Sequence, residues 1–304
     1  MRVKQLISSI ICFAMLCTVP AFAAETDSIQ GLPTVGEIGI EFVHEEGHSI
    51  QPASQELLEA TTLDEIAEIS RKNFEADVER SSDEAIKETS ELLNEYRAVA
   101  YSTDIPVTLA PMSSTEFLAY ICMADGLSAL NVLTANNDAE DARSLAVDKY
   151  PDDPGGIQDS YRHFVWNHMM TDDLSKAKAR TVACDYEWVN VLLPYAQSAY
   201  DDYIDQGYST SQAAAKAYNY AYYMREDCYS VCAAGVQYFS EMFGDAAVRD
   251  FWNNCYGRAY ADDYAYSYST AFSVANNAGE LINSDDDVTS SHINSVWSWD
   301  WYTV

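Results

Sequence analysis

Ile157-Gln158-Asp159-Ser160-Tyr161-Arg162-His163-Phe164-Val165-Trp166-Asn167 opens directly after the turn Pro151-Asp152-Asp153-Pro154-Gly155-Gly156. At about 100° per residue, Asp159, Arg162, His163, Trp166 and Met170 fall on one helical face, with Tyr161, Phe164, Val165 and Met169 on the other. Large apolar groups on both sides make this a buried helix. Its polar stripe is then buried with it, and buried charges need partners.

Outward from this helix the pattern stays helical. The spacing predicts helices over about 157–171, 173–205 (broken near Pro194), 210–243 and 245–282, and another from Ser113-Ser114-Thr115-Glu116 to about Thr134. Upstream, Leu57, Ile66, Ile69, Ile86, Leu92 and Leu93 are spaced through charged residues, and Ser81-Ser82-Asp83 caps a second helix there. Strands do not alternate with helices, which excludes an α/β fold. The fold class is all-α: a multi-helix globular domain (106–284) with an N-terminal helical extension or pro-region (53–105). Residues 24–52 read as a leader or linker. The last stretch, 285–304, is an aromatic tail in which Trp297, Trp299 and Trp301 alternate as on one strand face, a pattern that also suits a tail docked on its own core.

A second polar stripe lies in Asp250-Phe251-Trp252-Asn253-Asn254-Cys255-Tyr256-Gly257-Arg258, where Asp250, Asn253, Asn254, Gly257 and Arg258 share a face. Glycine in mid-helix costs about 1 kcal/mol against alanine, so Gly257 marks a close helix approach or access for a ligand. Two buried helices with polar stripes naturally face one another, and Asp185-Tyr186-Glu187 is a candidate third contributor. In the functional reading His163 is a base or metal ligand, with Asp159 holding its other ring nitrogen. Arg162 and Arg258 stabilise an anionic group, and Glu187, Asp250, Asn253 and Asn254 complete the pocket. The plainer reading is a satisfied ion-pair network that specifies helix packing.

The first string, taken with Asp250 to Arg258, resembles a secreted bacterial domain of unknown function, family 6973. Its pattern is D-A-x-R-H-x-x-W, then His-Glu, then D-x-x-N-N-x-x-G-R. The likeness covers about residues 113–282, and the first and last motifs match closely. In the middle one this chain has Tyr186-Glu187 where the family has His-Glu. The resemblance implies a site but no reaction.

His44-Glu45-Glu46-Gly47-His48 spells the zinc-protease motif H-E-x-x-H. That chemistry needs both histidines on one helical face, whereas Gly47 interrupts the motif, Pro52 follows and Ile38 to Val43 looks extended. A chance match is the better reading.

The first 23 residues read as a secretory signal peptide: Arg2 and Lys4, an apolar run from Leu6 to Val19, then Ala21-Phe22-Ala23 with cleavage after Ala23. The run is short of the ~20 residues of a spanning helix, so a secreted protein without a transmembrane anchor is expected. Formal charge is −31 over the whole chain, two units more negative without Arg2 and Lys4. Such a field repels nucleic acid. It suits a cationic or cell-surface partner, or a divalent metal as cofactor, and it also simply favours solubility. Seven cysteines fall to five once Cys12 and Cys17 leave with the leader, an odd number that leaves at least one unpaired. Oligomeric state carries no signal. Three functions follow in order: a secreted hydrolase built on the polar centre, a non-catalytic interaction module, and a zinc protease on His44 and His48.

Overall fold

Serine and threonine set the helix starts. In the computed structural model, which describes residues 50–102 and 110–299, Ser54, Thr62, Ser113, Ser128, Ser175, Ser209 and Ser267 each accept a backbone N–H of a first helical turn. Such a cap satisfies a donor that the helix itself cannot. The elements are α1 (Gln55–Glu59), α2 (Leu63–Ala76), α3 (Asp83–Ser102), α4 (Ser114–Ala124), α5 (Ala129–Lys149), α6 (Ile157–Asp173), α7 (Lys176–Asp205), α8 (Thr210–Ala234), α9 (Val236–Asp263) and α10 (Tyr268–Asn277). The 3-10 turn η1 (Asp285–Asp287) and α11 (Ser290–Trp299) follow. The described residues hold helices and no strand, as expected of an all-α chain.

α6 is the central element, packed on α9, α5, α7 and α10. Its Tyr161, Phe164, Val165, Trp166 and Met170 are buried. α7 lies between α4, α8 and α9, and α2 and α3 cover α8. The N-terminal helices are therefore held tightly: Phe74 is fully buried, Tyr220 donates its hydroxyl to the Ala67 carbonyl at 2.9 Å, and Ser70 donates to Asp227 at 2.7 Å.

Several boundaries differ from expectation. α7 runs through Pro194 without a break. The ring removes one helical hydrogen bond, but Val189, Leu192, Ala196 and Ala199 bury both flanking turns, and that packing outweighs the loss. The 210–243 helix divides at Gly235, whereas Gly244, with φ +70° and ψ 178°, interrupts the helical backbone of α9 where the boundary between 243 and 245 is expected. The helix starting at Ser113 stops at Gly126, whose φ is +90°, and α5 then extends to Lys149. The tail is helical up to Trp299. Thr289 accepts the His292 N–H while His292 Nδ1 accepts that of Thr289, a cap that a strand would not need. Trp297 donates to the Cys232 carbonyl at 2.9 Å, so the tail docks on its own core. Residues 1–23, the 24–49 part of the leader with His44 and His48, and Trp301 lie outside the described residues. Among the described residues, no helix is long and apolar enough to cross a membrane.

Candidate functional site

The α6 and α9 stripes do face one another, and Gly257 is the reason they can. A Cβ there would strike the Phe164 carbonyl and lie 3.1 Å from Asn167 Cβ. The missing side chain serves helix approach, which brings the two polar rows into hydrogen-bonding range.

His163 is 2% exposed and sits at the meeting point. Its Nδ1 lies 3.1 Å from Asn254 Oδ1, and its Nε2 lies 2.8 Å from Arg162 Nη2, 3.4 Å from Asp250 Oδ2 and 4.0 Å from Asp159 Oδ1. Asp159 therefore does not hold the ring, as the i,i+4 spacing had suggested. Arg162 and Arg249 draw its carboxylate away, and Asn254 orients the imidazole instead. Burial and the adjacent Arg162 charge lower the His163 pKa to about 3. A ring held neutral in this way is a weak base and a ready ligand.

Glu187 comes from α7 and joins the same centre. Its carboxyl is buried, and its Oε1 makes no hydrogen bond while Oε2 accepts from Asn190 at 3.5 Å. Burial, then the Asp250 charge, push it well above the ordinary carboxylate range. Asp250 is raised to about 6, chiefly by burial, with Arg249 and Arg162 acting against that. Tyr186 closes one side, its ring centroid 6.3 Å from that of His163 and 5.3 Å from that of Trp166. Asp185 points elsewhere, to Arg225 at 2.8 Å.

Two expected members hold other posts. Asn253 makes a double hydrogen bond with the backbone of Ile282, donating to its carbonyl at 2.8 Å and accepting its N–H at 3.1 Å. It fastens the segment after α10. Arg258 is 3% exposed and donates to Asn167 Oδ1 at 2.6 Å, so it supports the interior of the interface and does not meet an outside anion.

Arg249 of α9 is a further member of this centre. It bonds Asp159, Asp250 at 3.3 Å, the Gly155 carbonyl at 2.9 Å and Asp285 at 2.8 Å. One side chain thus orients both carboxylates and ties α6, α9 and η1 together. It stands one helical turn before Asn253, at the edge of the same face, and its length carries the guanidinium across to α6 and η1. Asn167, one helical turn beyond His163, is another member: it donates to Asn254 Oδ1 at 2.6 Å and accepts from Arg258 at 2.6 Å.

Asp159, His163 and Asp250 each offer one ligand atom, all within 4.8 Å of one another. Solvent reaches the group along Arg162, whose side chain is 33% exposed. A hollow of about 570 Å³ lined by Asp64, Arg71, Tyr195 and Asp202 lies between α2, α7 and α8 and shares no residue with this centre. Comparison with family models, with curated proteins and with solved structures finds no match.

Proposed function

We propose that this chain is an exported hydrolase whose reaction depends on one divalent cation held by Asp159, His163 and Asp250. The observation that carries this is the convergence of two carboxylates and one imidazole nitrogen within 4.8 Å. Two carboxylates and a histidine are a common hard-cation and transition-metal donor set. The surroundings support it: the ring is held through its other nitrogen by Asn254, and both carboxylates are braced by Arg249. Support of this kind fixes ligands in place.

Such a cation supplies Lewis acidity and lowers the pKa of a bound water. The chain's own residues do the rest. His163 presents the Nε2 lone pair, Arg249 holds the carboxylates in register, and Glu187, buried with its Oε1 unpartnered, lines the pocket beside them. The pattern of residues 1–23 supports export, and the same two stripes support membership of the secreted family of unknown function.

The test is direct. The chain is dialysed against Mn²⁺ or Zn²⁺, and bound metal and melting temperature are measured for wild type, Asp159→Asn and His163→Ala. Wild type should take up one ion and melt higher, since an ion at a hundred times its Kd adds about 2.7 kcal/mol. His163→Ala should lose the ion. If wild type binds none and His163→Ala only melts lower, the centre is a packing network of a non-catalytic interaction module. Arg249, which ties three segments together, is the observation that favours that second reading.

A further inference from the structure

Arg162 occupies the place that a bound cation needs. Its Nη2 lies 2.8 Å from the His163 Nε2 lone pair and also bonds Asp159 Oδ1. Both atoms belong to the donor set, and neither can serve an ion while the guanidinium covers it. Of the arginines at this centre, Arg249 is tied to two carboxylates, a carbonyl and Asp285, and Arg258 is buried against Asn167. Arg162 alone of the three reaches solvent, and its Nε makes no hydrogen bond.

We infer that Arg162 is a displaceable stand-in for the cation, and that once released it clamps the phosphoryl group of a small phosphate monoester bound to that cation. This rests on the cation-dependent reading above and names the substrate class for the same site. An entering ion takes Nε2 and Asp159 Oδ1. The guanidinium then loses its partners but stays rooted one residue from His163, at the open side. A planar fork of five donors matches phosphoryl oxygens and holds charge that builds on them during transfer. A small ester fits better than a polymer, because a chain of net charge −31 repels polyanions. The step balances with water as the only co-reactant. Water oxygen attacks phosphorus, the ester P–O bond breaks, and the leaving oxygen takes a proton that came from the water. The products are inorganic phosphate and an alcohol.

Inorganic phosphate, a product of that step, is the probe. Mn²⁺ binding is measured by calorimetry with and without phosphate for wild type, Arg162→Ala and Arg162→Gln, with melting curves confirming that each variant is folded. In wild type phosphate should tighten Mn²⁺ binding about tenfold, and Mn²⁺ should tighten phosphate binding by the same factor. In both variants Mn²⁺ should bind as tightly as in wild type or tighter, because its competitor is gone, and the phosphate effect should vanish. Weaker Mn²⁺ binding in both folded variants overturns the inference, and so does a phosphate effect that survives them. If Mn²⁺ fails to bind wild type at all, the cation-dependent reading falls first and the inference falls with it.

Discussion

Arg258 Nη1 donates to Asn167 Oδ1 at 2.6 Å, and this contact decides which nitrogen of His163 carries its proton. A guanidinium can only donate, so the Asn167 oxygen faces it and the Asn167 amide nitrogen faces Asn254. That nitrogen donates to Asn254 Oδ1 at 2.6 Å, so Asn254 presents its oxygen to His163 as well. Nδ1 must then hold the proton, leaving the Nε2 lone pair toward Asp159, Asp250 and Arg162. Nitrogen-15 NMR of the histidine ring should show the Nδ1–H tautomer in wild type. Asn254→Ala should yield a mixture of tautomers and a 10- to 100-fold loss of metal affinity, about the usual cost of removing such a support. A pure Nε2–H form in wild type would sink the argument.

Gly257→Ala sets two effects of opposite sign against each other. Alanine gains about 1 kcal/mol in helix propensity. Its Cβ strikes the Phe164 carbonyl, which is backbone and cannot turn aside, and overpacking of this kind costs about 1–3 kcal/mol. The substitution should lower the melting temperature, and by forcing α6 from α9 it should also weaken metal binding. A variant that melts at or above wild type would show that the approach is less tight than its geometry.

The two facing stripes were legible because i, i+3, i+4 spacing reports directly on a helical face. Arg249, at i−4 from Asn253, extends the same face by one turn, but nothing in the spacing says that its guanidinium reaches Asp159 and Asp285. The second half of α5 was hidden for a different reason: its buried face is Ala135, Asp138, Ala142 and Ala146, three small side chains and one charged one that do not stand out among charged neighbours. Gly244 was legible as a break, and its backbone is non-helical there, whereas Gly235, which divides α8 from α9, lies in a stretch whose periodicity runs on across it. Docking of the tail was legible, but its helix was not, because Trp297, Trp299 and Trp301 have period two, while Ile293, Val296 and Trp297 have helical spacing and Val296 is fully buried.

Away from the centre, Arg225 is buried between Asp125 and Asp185, 2.7 Å and 2.8 Å from their nearest oxygens. One cation faces two carboxyls. Burial, then the Asp125 charge, push Asp185 well above the usual carboxylate range, while Asp125 is lowered, with Arg225 and Tyr222 overcoming its burial. Arg225 therefore pairs with a charged Asp125 and a protonated Asp185. Asp185→Asn should cost less than about 1 kcal/mol, since it swaps one neutral group for another. Arg225→Met should cost about 3–5 kcal/mol by stranding a buried charge. Denaturant melts distinguish the two, and equal losses would refute the assignment.

Asp138 makes stability depend on pH in a direction opposite to a paired carboxylate. It is 5% exposed on α5, its Oδ2 has no hydrogen-bond partner, and burial, then the charges of Asp173 and Asp141, raise its pKa to about 7. The folded chain thus binds a proton that the unfolded chain releases near 3.8, the ordinary aspartate value. Its contribution is fully present below that value and is lost as pH rises through about 7. Wild type should therefore lose melting temperature between pH 5 and pH 8 at this site. Asp138→Asn keeps the neutral shape at every pH, so it should match wild type only near or below pH 3.8, and its advantage should grow from pH 5 to pH 8, by about 2–4 °C for each kcal/mol relieved. Two melting curves that stay parallel across that range would mean that Asp138 ionises in the folded chain as easily as in the unfolded one.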